Sequence, residues 1–264
     1  MEKREKVLIL AAHGSSHPAA KGALERFAGR ARERRPEARV SLAFTASPRP
    51  GSHPGGKPGL GLDEVLQGLA VPAHVRVLSL HVIAGGEFDR MRRTLDGFAA
   101  ETGSSVEVSG PLLTSAADAP GVALALSQCL GGTADGEAAV LMGHGTTHGA
   151  QELYRALAGE LGGVLPGARL GVLEAADPGD PLSIKAIARD LAARGVVKAR
   201  LVPFLTVAGR HAHKDLAGGQ PCSWKSVLEA HGVACEPDLA GLIEREAFAK
   251  LWLGRIALLT QRSS

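Results

Sequence analysis

The sequence predicts an α/β protein built of two similar halves, each a doubly wound parallel sheet, and three observations carry that prediction. First, VLILAAHGSSH at residues 7–17 aligns with AAVLMGHGTTH at 138–148, so that His13 matches His144 (144 − 13 = 131) and His17 matches His148. Second, VLSLHVIAGGEFDR at 77–90 aligns with LVPFLTVAGRHAHK at 201–214, offset by 124 (209 − 85). Two matched phrases in the same order, over a hundred residues apart, mark a duplicated domain rather than a solenoid of short repeats. Third, strands and helices alternate along both halves, the pattern of parallel sheets covered by helices.

In chain order, Val7–Ala12 is continuously apolar, as expected of a strand buried on both faces. Pro18 suits a first helical turn, and residues 19–34 place Leu24, Phe27 and Ala31 on one helical face. Ala38–Thr45 reads as the second strand. Residues 47–61, SPRPGSHPGGKPGLG, are too rich in Pro and Gly for anything but a loop, and its length suits a flap or binding loop. Helix Leu62–Leu69, strand His74–Val82, helix Glu87–Glu101, short strand Ser105–Val108 and helix Ala116–Leu130 follow. The glycine-rich stretch 131–136 is the best boundary, giving an N-terminal half over 1–132 and a C-terminal half over 133–264.

The second half begins with strand Ala138–Met142, helix Gln151–Leu161 and strand Arg169–Leu173. Asp180 as N-cap, Pro181 in the first turn and Gly195 beyond the last turn frame the next helix. Strand Val197–Leu205, the His211 region, helix Ser223–Ala230 closed by Gly232, and a final helix Leu242–Leu259 complete the chain.

Composition narrows the function. With 45% apolar residues, 22% charged residues and only 3% aromatics, the chain has the balance of a globular protein with an aliphatic core. A net charge of +3 without a long Lys/Arg run argues against nucleic acid, and the Arg30–Arg35 cluster reads as the solvated end of a helix. Cys129, Cys222 and Cys235 form no CxxC; an odd count fits a reducing compartment, and all three read as buried or inert thiols. The N-terminal apolar run is about half the length of a secretory core and flows into His13-Gly14, so it reads as a strand of a cytoplasmic protein. No apolar segment approaches the roughly 20 residues of a membrane span. No GxxxxGK[ST], strand-GxGxxG-helix or GxSxG phrase is present, which leaves nucleotide hydrolysis, dinucleotide redox chemistry and serine hydrolysis unsupported.

What the sequence does contain is histidine at strand ends. His144 follows one strand of the second half, His211 and His213 follow another, and Glu174 follows a third, gathering imidazoles and a carboxylate at one sheet edge. Such a set holds a borderline divalent metal or moves protons near neutral pH. A metal-dependent hydrolase and a metal or tetrapyrrole carrier also fit these residue types. His17 and His148 read as polar residues at helix starts, His53, His74 and His231 as surface or loop residues, and His81 as a strand residue that is either a satisfied core histidine or, from its place at a sheet edge, a binding residue. The first half matches His144 with His13 and His211 with Glu87 (211 − 124), but matches Glu174 with Ala43 or Phe44, which do not ionise. The chemistry is therefore assigned to the second half.

The phrases MGHGTTH, a strand-end Glu and PFLTVAGRHAHKDLAGG followed by SWK resemble the anaerobic cobalt chelatases of cobalamin synthesis, the sirohydrochlorin cobaltochelatases. With the protoporphyrin ferrochelatases these form the ATP-independent class II chelatases. AFTAS (43–47), SLHVIAGGEFD (79–89) and GPLL (110–113) extend the likeness over nearly the whole chain. The resemblance implies a chelatase-like fold whose two halves face each other across a cleft, with the first half as its wall. It further implies that His144, Glu174 and His211 are the catalytic and metal-handling residues, and that Co2+ is a substrate inserted into sirohydrochlorin without ATP or any nucleotide. Fe2+ is the other metal such ligands accept, as in siroheme synthesis. Arg210, His13, His81 and Glu87 are the expected substrate contacts, with Arg49, Lys57, Arg90, Arg92, Arg93 and Lys214 as further cations for a macrocycle ringed by carboxylates. AAHGSSHP also resembles chelatases whose active histidines lie in the first half, which makes His13 a second candidate. The chain departs from the family pattern at Arg210, His213 and Cys222, where an acidic residue, Asn and Asp are usual. A homo-oligomer is compatible with this reading, as is a monomer.

Overall fold

Each of the two sheets is built around a strand whose inner residues are all apolar. In the computed structural model, which describes residues 4–46, 59–146 and 149–261, β1 (Lys6–Ala12) is buried from Val7 onward and β5 (Glu137–Gly143) from Ala138 onward. Burial on both faces requires helices on both sides, and the intervening elements supply them. In the first part of the chain α1 (Pro18–Arg34), β2 (Arg39–Phe44), α2 (Leu62–Gln67), β3 (His74–Ser79), α3 (Gly86–Thr102) and β4 (Ser105–Val108) follow β1, and α4 (Ala119–Leu130) comes next. After β5 come α5 (Gln151–Val164), β6 (Ala168–Val172), α6 (Ile184–Ala193), β7 (Lys198–Pro203), α7 (Trp224–Glu229), β8 (Ala234–Pro237) and α8 (Glu246–Gln261).

All pairings are parallel, and the two sheets have the same strand order, β2-β1-β3-β4 and β6-β5-β7-β8. The duplication inferred from the two repeated phrases is thus a duplication of topology. In each sheet the chain leaves the first strand to one side and returns on the other, so a crevice opens at the carboxyl ends of β1 and β3, and of β5 and β7.

Packing divides the chain into two units: residues up to Leu112 together with those from Ala249, and Leu113–Phe248. The helix after each sheet therefore belongs with the other sheet's unit, α4 packing on α5 and α8 joining the first unit. There Arg76 Nε donates to the Leu259 carbonyl at 2.9 Å, and Arg255 donates to the carbonyls of Gly110, Pro111 and Leu112. The first core gathers Ile9, Val77, Leu66 and Leu95; the second gathers Val140, Met142, Ile187, Leu201 and Trp224. As the sparse aromatic content predicts, both are largely aliphatic.

Several elements differ from expectation. The α6 N-cap is Ser183, whose Oγ accepts from Ala186 N at 3.1 Å; Asp180 sits one turn earlier, accepting from Leu182 N at 2.9 Å, because Asp177–Asp180 forms a turn of its own. Gly195 does lie beyond the helix end, with φ +72°. The expected helix Leu242–Leu259 is a short 3-10 turn, Leu242–Glu244, broken at the extended Arg245 before α8 begins. The edge strand β8 has no clear sequence signal, being four residues long and ending in Pro237. All three cysteines are free; burial raises the Cys129 and Cys235 thiols, the latter to about 11, and Cys222 is exposed. Most of the expected loop at 47–61 lies outside the described residues, with His53, Arg49 and Lys57 in it. Among the described residues, no helix is long and apolar enough to cross a membrane.

Candidate functional site

In the second unit, the end of β5 is shaped by two glycines. A Cβ on Gly143 would stand 2.6 Å from the Tyr154 ring, and Gly145 has φ +89°, a left-handed conformation that favours glycine. Tyr154 lies buried on α5 with its ring edge-on to Phe204, and burial pushes its hydroxyl up to about 12 against the backbone of Gly145 and His144. The turn thus rests on a neutral, fixed phenol. Neighbouring strands hold it from both sides: Leu173 N donates to Gly143 O at 3.0 Å, Glu174 N to His144 O at 3.2 Å and Phe204 N to Met142 O at 2.8 Å.

This scaffold brings His144, Glu174 and His211 together. His144 Nδ1 lies 3.5 Å from Glu174 Oε1 and 3.2 Å from the Gly145 carbonyl. The His144 and His211 rings meet edge to face, with centroids 4.9 Å apart. All three side chains remain partly open to solvent, at 44%, 38% and 39% exposure. Among the described residues no three His, Cys, Asp or Glu side chains form a metal-holding group, so these three are neighbours rather than a closed cage. Half-exposed imidazoles beside a carboxylate provide borderline nitrogen donors for a transient divalent ion, together with a base for its displaced protons.

His211 directly precedes a helical turn on the connection that leaves β7 at Pro203. Residues 212–216 form a π-helical turn anchored by buried Ala212 and Leu216, and His211 Nδ1 lies 2.6 Å from Asp215 Oδ2. Asp215 had no role in the sequence reading; its signal there was the i, i+4 spacing from a strand-end histidine. Arg210 is exposed next to His211, as are His213 and Lys214.

The first unit assembles its own cluster from His13, His81 and Glu87. His13 Nδ1 is 2.6 Å from Glu87 Oε2, Thr45 Oγ1 donates to Glu87 Oε1, and His81 Nε2 lies 2.9 Å from Thr45 Oγ1 and 3.5 Å from Glu87 Oε1. On its other side His81 Nδ1 meets Ser79 Oγ at 2.9 Å. His81 is not in a strand as expected: β3 ends at Ser79, and His81 lies just beyond it, buried at 8% exposure. Burial alone would raise the Glu87 carboxyl, but hydrogen bonds from His13 and His81, the His13 charge and the Thr45 hydroxyl outweigh it and hold the group far below the usual carboxylate range. Thr45 and Ser79 are further residues that the sequence reading missed, having no spacing signal of their own.

The strand registers correct one correspondence. Ala12 pairs with Phe44, and Gly143 pairs with Val172, so the second strands correspond at an offset of 128 (172 − 44). The counterpart of Glu174 is therefore Ala46 (174 − 128), not Ala43 or Phe44, because the connection between the first two strands is three residues longer in the first half (131 − 128). Ala46 N donates to His13 O at 3.2 Å, as Glu174 N does to His144 O. Of the remaining histidines, His17 sits at the α1 N-cap without capping it through its side chain, His74 and His231 are exposed, and His148 lies outside the described residues. Arg90, Arg92 and Arg93 are exposed on α3.

Comparison with known proteins agrees with this architecture. A family model described as cobalt chelatase (CbiK) matches residues 5–260. The sirohydrochlorin cobaltochelatase CbiKC of Nitratidesulfovibrio vulgaris is 37% identical over 96% of this chain and 89% of its own length. The sirohydrochlorin cobaltochelatase of Salmonella typhimurium is 30% identical over 73% of this chain and 72% of its own. Among solved structures, SirB from Bacillus subtilis with Fe3+ aligns with a TM-score of 0.65 at 15% identity, covering 98% of this chain and 97% of SirB, a likeness of fold.

Proposed function

The chain belongs to the cobalt chelatase family and is a metal chelatase with cobalt as its metal substrate; we propose that His144, His211 and Glu174 carry the insertion and that the macrocycle is sirohydrochlorin. The observation that supports this most directly is the pair of imidazoles 4.9 Å apart at the β5 and β7 ends, with the Glu174 carboxylate 3.5 Å from one of them.

Insertion exchanges two pyrrolic N–H protons for one divalent ion. Cobalt must be held by donors that bind it and then release it, and two partly exposed imidazoles do this better than a closed four-ligand site. Glu174 lowers the cost of bringing a dication to neutral histidines and accepts a proton as the macrocycle gives one up. Arg210 offers a bidentate guanidinium to a carboxylate of sirohydrochlorin. His13, His81 and Glu87 are assigned as further substrate contacts, in which the Glu87 carboxylate, kept charged, is the acceptor suited to a pyrrolic N–H and the two imidazoles hold it. The exchange is balanced without ATP, since the metal–nitrogen bonds formed replace two N–H bonds and the protons leave to water. The protein is placed in the cytoplasm, where its three thiols stay reduced.

The test is anaerobic absorbance of the purified protein with sirohydrochlorin and Co2+ or Fe2+, without nucleotide, against the metal's spontaneous rate. Catalysed conversion with Co2+ preferred, abolished in His144→Ala and in His211→Ala at unchanged melting temperature, and only mildly reduced in His13→Ala, is the expected result. Preference for Fe2+ would reassign the metal. A bound, shifted spectrum without turnover would make the protein a carrier, and loss of activity in His13→Ala alone would move the site to the first unit.

A further inference from the structure

We propose that Asp215 is a positioning residue that sets the tautomer and ring orientation of His211, leaving Nε2 as the atom that meets the metal. This rests on the assignment of His211 as a cobalt ligand. The Asp215 carboxylate accepts only, so the 2.6 Å contact places the proton on His211 Nδ1. A neutral imidazole with Nδ1 protonated presents its lone pair at Nε2. His144 is arranged in the same sense, with Nδ1 facing the Gly145 carbonyl at 3.2 Å, another pure acceptor. Both rings of the pair thus have Nδ1 engaged by protein.

The backbone that holds Asp215 is built for this contact. Ala217 N bonds back to Ala212 O at 3.1 Å, closing one i→i+5 turn, and Ala212 and Leu216 anchor it in the core while Asp215 faces the His211 side. At the turn's end any side chain on Gly218 would collide with the Lys214 carbonyl, and the buried Ser223 donates to Gly218 O at 2.6 Å while capping α7. π-helical turns are rare and frequently lie at functional sites.

The duplicated half provides an internal control. At the offset of 124, the counterparts of His211 and Asp215 are Glu87 and Met91 (215 − 124). Met91 is 2% exposed and packs in the first core. The counterpart position thus carries a core methionine in an α-helix where its i−4 partner is a carboxylate, and a partly exposed carboxylate in a π-helical turn where its partner is an imidazole. Carboxylate groups behind a metal-binding histidine fix its tautomer and raise its basicity, and removing them costs about 10–100-fold in metal affinity or activity.

The experiment uses the full chain, as wild type, Asp215→Ala, Asp215→Asn and His211→Ala. Nitrogen-15 NMR of histidine reports the His211 tautomer, visible absorbance of added Co2+ reports binding, and the anaerobic assay reports insertion. In Asp215→Ala, His211 is expected to move toward the Nε2-protonated form and insertion to fall about 10–100-fold. Asp215→Asn, whose amide oxygen still accepts from Nδ1, is expected to restore the tautomer and part of the rate. The proposal is overturned if His211 keeps its proton on Nδ1 in Asp215→Ala, or if the tautomer changes while Co2+ binding and insertion stay at wild-type values. Full activity in His211→Ala would instead remove the assignment of His211 itself, and the positioning role with it, whatever the NMR shows for Asp215.

Discussion

Replacing Gly145 with alanine tests whether the β5 turn and Glu174 are mechanically joined. Gly145 has φ +89°, so alanine there enters the left-handed region at about 1–2 kcal/mol. Its Cβ would also lie 3.0 Å from Glu174 Cβ and 3.2 Å from both Glu174 N and Val172 Cβ. Backbone and Cβ atoms do not swing aside as a flexible side-chain end does, so crowding adds about 1–3 kcal/mol. Gly195 is the matched control: φ is +72°, and no atom lies within 4 Å of a Cβ built there, so Gly195→Ala carries only the backbone cost. Urea unfolding followed by circular dichroism should therefore show Gly145→Ala less stable than Gly195→Ala by about 1–3 kcal/mol, at unchanged denaturant slope. The displacement falls on Glu174, 3.5 Å from His144, so insertion should drop in Gly145→Ala and stay at the wild-type rate in Gly195→Ala. Equal stability loss in the two variants, or full activity in Gly145→Ala, would refute the claim that this turn positions Glu174.

Two further outcomes follow from the same geometry. Glu87 has a folded-state carboxyl well below its ordinary 4.5, so the unfolded chain takes up the proton first as pH falls. Its stabilisation is therefore fully present above the ordinary value and is lost progressively below it. The gap in melting temperature between wild type and Glu87→Gln should be wide at about pH 7 and narrower at about pH 4; a gap that widens in acid would contradict the arrangement of His13, His81 and Thr45 around the carboxylate. Ser183→Ala removes the α6 N-cap and should lower stability by about 1 kcal/mol in the same urea measurement without changing insertion; no loss of stability would refute the assignment of Ser183 as the cap.

Much of the fold was legible because its signals are local. Continuous apolar runs at Val7–Ala12 and Ala138–Met142 identify strands covered on both faces, and the Gly-His-Gly turn after the second places an imidazole at a sheet edge. The offsets of 131 and 124 between phrases describe how β1 and β3 map onto β5 and β7, and the observed registers follow them. The third correspondence failed because no phrase repeats near Glu174, and three extra residues between β1 and β2 are invisible without a register to count against.

Other features depend on which distant groups meet. His81 looks like a strand residue in sequence, since an apolar run continues past it, yet hydrogen bonding ends at Ser79 and leaves the ring among Ser79, Thr45 and Glu87. Asp215 lies only four residues from His211, but a sequence of that spacing cannot distinguish an α-helix facing solvent from a π-helical turn aiming a carboxylate at Nδ1.

By itself, the sequence determined the α/β class, the duplication, the strands other than the edge strand β8 and the meeting of His144, Glu174 and His211 at one sheet edge, because local periodicity and turn chemistry set backbone conformation within a few residues. Only the tertiary structure decided that α8 joins the first sheet's unit and α4 the second's, that Glu174 corresponds to Ala46, and that Glu87 is a carboxylate held charged by two histidines. Those depend on contacts between segments far apart in the chain, where an amphipathic helix or a polar side chain specifies what kind of partner it needs but not which one it will find.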